Sequence, residues 1–160
     1  MARQEMHSSP GVDASGVADE LDGLYARHLL AVHWCRAVSN RLEGQALFLL
    51  GDELDEVLEQ NLSSARKLAD RVGELGGAVA GDPRELVARA GRDGFDIPEG
   101  GDLGGILASA LDSPEGDDRG LRGSASATAG DELTHRLLLS LVRHEVARES
   151  DLESAMARGA

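Results

Sequence analysis

Residues 45–75 read QALFLLGDELDEVLEQNLSSARKLADRVGEL. Within them Leu47, Leu50, Leu54, Val57, Asn61, Ser64, Leu68, Val72 and Leu75 follow one another at intervals of three and four. That is the spacing of one face of an α-helix lying along a partner helix, and strand-type alternation is nearly absent from the chain. Gly76 and Gly77 then stop the helix, as glycine does at a C-terminus. A helix of this length spans about 46 Å at roughly 1.5 Å per residue. Its apolar face is broken near the middle by Asn61 and Ser64, three residues apart.

Two further stretches repeat the pattern. From about Val17 to Glu43 the seam is Leu21, Leu24, His28, Ala31, Cys35, Val38 and Leu42. From about Asp131 to Arg158 it is Leu138, Leu141, Glu145, Arg148, Leu152 and Ala155 or Met156, with Asp131 as the expected N-cap after Gly130. Between the second and last helices the periodicity weakens. Asp82-Pro83 opens a short helix through Ala90, with proline in its first turn, and Gly91 to Gly101 reads as a loop. Asp102 to Asp112 reads as a short helix with Leu103, Ile106, Leu107 and Leu111 apolar. Residues 113–130 are rich in Gly, Ser, Ala and Asp, and Pro114, Gly116, Gly120 and Gly123 oppose a continuous helix, so a flexible loop is expected. The predicted architecture is all-α: an antiparallel four-helix bundle over 17–158 with a short or broken third helix. A bundle with part of one wall missing exposes apolar side chains, which a partner subunit or the loop would have to cover.

Composition narrows the function classes. The 160 residues carry 29 acidic and 16 basic side chains, a formal net charge of −13, and Lys67 is the only lysine. A surface of this sign does not neutralise nucleic-acid phosphates, so no nucleic-acid partner is expected. Aromatics are 2% of the chain, so the core must be built mainly from Leu, Val and Ala. One cysteine, Cys35, excludes an internal disulfide framework and a cysteine-based zinc cluster. No apolar run is long enough for a membrane span. Met1 to Gly16 lacks the apolar stretch of a signal peptide and is expected to be a disordered tail of a cytoplasmic protein. No glycine-rich phosphate loop follows a strand, and no nucleophile elbow is present.

The polar interruptions bear on function. His28 in the first helix, Asn61 and Ser64 in the second, and Glu145 and Arg148 in the last all fall near mid-helix on the apolar seam. Buried polar side chains cost free energy unless paired, so a residual polar centre made of these five residues is predicted. Bundles that hold two metal ions use a carboxylate from each of two helices and a Glu-x-x-His pair from each of the other two. Here the spacing survives while the chemistry does not. Asn61-x-x-Ser64 is a poor chelator, and Glu145-x-x-Arg148 places a cation beside its only carboxylate.

The sequence resembles the ferritin-like family, and within it the Dps-like and bacterioferritin-like group. Residues 65–77, ARKLADRVGELGG, are similar to the end of the second helix of bacterioferritins and Dps-like miniferritins. Asp82-Pro83-Arg84-Glu85-Leu86 followed by Asp102-Leu103 resembles the connection into the third helix, and residues 141–153, LVRHEVARESDLE, the end of the fourth. The resemblance spans roughly residues 17–156. It implies oxidation of ferrous iron at a di-iron centre and, in many members, storage of the mineral in a hollow cage. Position by position the implied ligands are mostly missing. No Asp or Glu occurs from Gly23 to Leu42, where the first-helix Glu should fall. The second-helix acidic-x-x-His falls on Asn61 and Ser64. The third-helix Glu falls near Pro114, with Asp112 and Glu115 close by, and the fourth-helix Glu-x-x-His falls on Glu145 and Arg148. Only Glu145 is retained. The subunit-interface site of the Dps proteins falls near Gly51, Asp55, Arg66 and Asp70, and Gly91 and Arg92 stand where some members carry a cysteine pair. A lost di-metal centre requires its buried carboxylates to go or to gain other cations, and Arg148 beside Glu145 fits that compensation.

No catalytic residue, metal or cofactor is therefore expected, and Glu145 and His28 are the candidates should a metal bind. The leading expectation is a homo-oligomer, or a hetero-oligomer with a ferritin-like paralogue, acting as a structural or accessory subunit without a working ferroxidase centre. One alternative is an atypical but active iron-oxidising miniferritin that uses iron at Glu145, His28 and shifted acids. Another is a helical interaction module without metal. Elsewhere, His28 has an ordinary reading as a hydrogen-bonded core histidine. Glu132-Leu-Thr-His135 reads as a solvated first turn, and Asp52, Glu53, Asp55, Glu56 and Glu59 as a solvated helix face. Trp34 and Tyr25 read as packing residues and Cys35 as an inert buried thiol.

Overall fold

A computed structural model describes residues 13–91, 123–125, 128 and 130–159. Four helices are seen there: α1 (Ala14–Ser39), α2 (Gly44–Glu74), α3 (Pro83–Ala90) and α4 (Glu132–Gly159), with no strand among the described residues. The expected helix over 102–112, the expected loop over 113–122, and the side chains of Leu152, Ala155 and Met156 lie outside the described residues.

α1 and α2 form an antiparallel hairpin joined by a four-residue corner. The end of α1 packs on the start of α2 through Trp34, Cys35, Val38, Leu42, Ala46, Leu50, Leu54 and Leu58. The start of α1 packs on the end of α2 through Val17, Ala18, Leu21, Leu24, Leu68 and Val72, and α4 adds Leu138, Leu141 and Val142 to that cluster. α4 therefore runs antiparallel to α2: Asp131 meets Arg71 at one end, and Arg158 meets Glu53 at the other, each at 2.7 Å. Among the described residues Trp34 is the only large aromatic fully inside; Tyr25 is partly buried against the second cluster.

Three boundaries differ from the sequence expectation. The expected tail extends to Gly16, yet α1 begins at Ala14, because the Asp13 carboxylate accepts from the Ser15 amide at 3.1 Å and caps the helix. α1 ends at Ser39 instead of near Glu43. The Asn40 amide closes on Arg36 and the Arg41 amide on Val38, so Leu42 reaches the core from the corner and is 7% exposed. Within the expected flexible loop, residues 123–125 form a helical turn. Ser124 hydrogen-bonds Glu20 of α1, and the Ala125 carbonyl accepts from His135 Nδ1 of α4 at 2.6 Å, so the turn has a partner on each side.

Leu47 is a further correction. The spacing puts it on the seam, but it is 52% exposed, and its neighbour Phe48 is 87% exposed. The inward residues are Ala46, Leu50, Leu54 and Leu58, each four after the last. The start of α2 thus follows a single i, i+4 ridge against Trp34 and Val38, in place of the alternating threes and fours of the sequence seam.

The short α3 is docked on α1 by polar contacts. Asp22, 1% exposed, accepts from the Ala80 amide at 2.9 Å and from Arg89 Nη1. Arg27 Nε donates to the Ala90 carbonyl at 3.0 Å. Gly23 allows the approach: a Cβ there would lie 3.2 Å from the Arg89 carbonyl. At the end of α2, Gly76 adopts φ +82°, a conformation other L-residues resist, and turns the chain toward α3.

Candidate functional site

The five seam-breaking residues are all buried: Asn61 at 3% exposure, His28 at 4%, and Ser64, Glu145 and Arg148 at 6%. Their place along the bundle follows from the two apolar clusters. On α1, one cluster ends at Leu24 and the other begins at Trp34, and His28 lies between them. On α2 the clusters end at Leu58 and resume at Leu68, around Asn61 and Ser64. On α4 the cluster ends at Val142, one turn before Glu145 and Arg148. The result is a polar layer at mid-height, between the two apolar clusters.

The layer contains two defined pairs. His28 Nδ1 lies 2.7 Å from Asn61 Oδ1. The Asn61 Nδ2 group donates to the Val57 carbonyl at 2.9 Å, which sets the amide so that Oδ1 faces the imidazole. His28 Nδ1 therefore carries the proton and donates. On α4, Arg148 Nε and Nη2 both donate to Glu145 Oε2, at 3.2 and 2.9 Å, within one helix turn. Both side chains of this ion pair are buried.

This donor set does not fit two bridged metal ions. The α2 pair offers an amide oxygen that already accepts from His28 and a serine hydroxyl, neither of them anionic. The α4 pair offers one carboxylate, with a guanidinium bound to it. A divalent ion about 4 Å from that guanidinium would meet a repulsion on the order of 8 kcal/mol at an effective dielectric constant near 20. Among the described residues, no three His, Cys, Asp or Glu side chains gather in a way that could hold a metal ion.

Other residues singled out in the sequence take structural roles. His135 donates to the Ala125 carbonyl, while Glu132 is exposed and pairs with Arg136, so these two side chains do not converge on one point. The reading of a solvated first turn thus holds for Glu132 and not for His135. Within the acidic run, Asp52, Asp55, Glu56 and Glu59 are exposed, but Glu53 is half-buried and bridges to Arg158. Glu53 and Val57 of α2, with Arg148 and Asp151 of α4, line a cleft of about 170 Å³. Cys35 is buried in the α1–α2 core.

Two polar groups go beyond the sequence reading, although Asp131 in the second is the expected N-cap. One is Asp22, which carries α3. The other joins Arg71 of α2 to the N-terminus of α4. Arg71 Nη2 donates to Asp131 at 2.7 Å and Nε to Thr134 Oγ1 at 2.9 Å, while Thr134 Oγ1 donates to Asp131 Oδ2 at 2.6 Å. Burial works against ionised Asp131, but the hydrogen bonds from Thr134 and Arg71 outweigh it and hold the carboxyl below the usual aspartate range. On Arg71 burial is likewise opposed, and outweighed, by hydrogen bonds to Glu74 and Asp131, so its pKa stays raised.

Long antiparallel helices around a mid-height polar layer define a ferritin-like helical bundle. Solved structures agree. The bacterioferritin-related protein of Bacteroides fragilis, a dodecameric thioferritin, matches with a TM-score of 0.84 at 23% identity, over 92% of this chain and 88% of that one. Dps from Mycobacterium smegmatis, in a C-terminal deletion form, matches at 0.80 with 19% identity, over 89% and 98%. Dps from Listeria innocua matches at 0.81 with 14% identity, over 95% and 97%. Neither a protein-family model nor the sequence of a curated protein matches the chain. The ferritin-like fold of the Dps and bacterioferritin-related proteins is thus the fold of this chain. No helix among the described residues is long and apolar enough to cross a membrane.

Proposed function

We propose that this chain is a ferritin-fold subunit of the Dps-like and bacterioferritin-like type that assembles into an oligomer and has no working ferroxidase centre. On this reading it serves iron handling in the cytoplasm as a structural or accessory subunit. The observation that carries the reading is the buried Glu145–Arg148 pair, with the guanidinium 2.9 Å from the one carboxylate on the seam. Asn61 and Ser64 add no negative charge opposite it. Assembly rests on the fold: the bacterioferritin-related relative is a dodecamer.

The test combines two measurements on the purified protein. Ferrous iron and hydrogen peroxide are mixed with it and ferric absorbance is followed, and its mass is taken by light scattering. The expected outcome is oxidation no faster than without protein, together with a particle several times the 16.8 kDa chain mass. Multiple-turnover oxidation that disappears in Glu145→Ala would establish an active, atypical centre instead. A particle that stays monomeric as concentration rises would remove the assembly claim.

A further inference from the structure

α2 carries a second ridge beside its buried one. Gly51, Asp55, Glu59, Leu62, Arg66 and Gly73 each directly follow a buried residue of the helix, so they lie about 100° around it from the core. All of them except the half-buried Gly51 are exposed, and neither α1 nor α4 covers them. Leu62 is 40% exposed, and Phe48, one turn before Gly51, is 87% exposed. We infer, resting on the assembly proposed above, that this ridge is a two-fold interface with a second copy of the chain. In it α2 lies antiparallel to the partner's α2 across Leu62, and Glu59 binds the partner's Arg66.

Charge decides the occupant. Glu59 has Asp55 and Glu56 one turn before it, and like charges at that spacing destabilise one another. Among the described residues neither Glu59 nor Arg66 has an ion-pair partner. The two are seven residues apart, about 10 Å along the axis, beyond the i, i+3 and i, i+4 spacings at which helical neighbours pair. Turned end for end and laid on itself, the ridge brings Glu59 to the partner's Arg66 and Arg66 to the partner's Glu59. The axis that does this passes midway between them, at Leu62, so the two Leu62 side chains meet there and leave water. The same axis sets Gly51 opposite the partner's Gly73, where neither helix holds a side chain that keeps the backbones apart. It also sets the exposed Phe48 opposite the partner's Gly76, beside which a Cβ would meet nothing within 4 Å. A surface that supplies its own opposite charge, its own apolar contact and its own clearance under one rotation is what an isologous contact requires. An unrelated partner would have to match each of these separately.

The experiment uses the full chain and follows mass by light scattering across a dilution series. Glu59→Arg and Arg66→Glu each place like charges together twice across the axis. Each is expected to raise the concentration at which the particle dissociates by about tenfold or more. Glu59→Arg/Arg66→Glu restores opposite charges and is expected to recover most of that loss. A short bis-maleimide is expected to join two copies of Leu62→Cys into a covalent dimer and to leave Lys67→Cys, exposed on another side of α2, unjoined. An assembled wild type whose single reversals dissociate as it does, whose double reversal recovers nothing, or whose Leu62→Cys form is not joined overturns the interface and leaves the proposed assembly standing. A wild type that stays monomeric at every concentration overturns both, so the two failures are distinguishable.

Discussion

His28 and Asn61 are 33 residues apart in the chain and 2.7 Å apart in the bundle, and local pattern could not reveal that contact. What the sequence did carry was their position on an apolar face, which forces a buried polar group to find a partner. Asp22 shows the limit of that reasoning. It sits one residue beside the seam residue Leu21, and its partners, Ala80 and Arg89, lie 58 and 67 residues away. A carboxylate at 1% exposure that accepts a backbone amide and a guanidinium is a structural anchor. Asp22→Ala should therefore cost about 2–4 kcal/mol in urea denaturation, because an amide and a guanidinium lose their acceptor. Asp22→Asn keeps an oxygen for the Ala80 amide and should lose roughly half as much. Equal losses in the two variants would show that the charge on Asp22, and not its hydrogen bond to the Ala80 amide, holds α3.

Each helix has an apolar seam, but the ends are fixed by contacts between helices. The buried faces of α1 and α4 follow the seams read from the sequence, from Leu21 to Val38 and from Leu138 to Arg148. The start of α2 does not, since Leu47 turns outward where an i, i+4 ridge replaces the mixed spacing. The centre was legible for the same reason the seams were: five polar residues at inward positions stand out against leucine. The Arg71–Asp131–Thr134 group was only half legible. Asp131 reads as an N-cap from its place after Gly130, whereas Arg71 reads as an ordinary last-turn basic residue and reveals its role only when α2 and α4 meet. Asp131 supplies a pH dependence whose sign can be worked out. Its folded pKa lies below the unfolded value, so the folded state binds fewer protons in the acid range. The stability it gives is complete above about pH 4 and is lost as pH falls through the folded pKa. Asp131→Asn keeps the cap but not the charge. Its unfolding free energy should lie on the order of 1 kcal/mol below wild type at pH 7, with the gap closing toward pH 2. A gap of the same size at both ends of that range would assign the loss to packing and not to the ion pair.

The molecule as a whole must hold a net charge of −13 in a small volume before any second copy approaches. Thirteen like charges on a sphere of ~17 Å radius in water carry a self-energy of roughly 20 kcal/mol without salt, by Coulomb's law. Screening leaves about two-thirds of that at 0.01 M salt and about one-third at 0.15 M. The unfolded chain spreads the same charges further apart and gains less from screening, so added salt favours the folded state. The named ion pairs pull the other way. Those with an exposed partner, such as Arg71–Glu74 and Arg158–Glu53, are each worth about 0–1 kcal/mol and weaken with salt. The buried Glu145–Arg148 pair is screened little. Repulsion therefore outweighs attraction in the salt response. The melting temperature should rise by several degrees from 0.01 to 0.15 M sodium chloride, and the mass by light scattering should shift toward larger species, since bringing acidic copies together multiplies the same repulsion. A melting temperature that falls with salt would mean that exposed ion pairs govern stability and that the charge excess lies too far apart to matter.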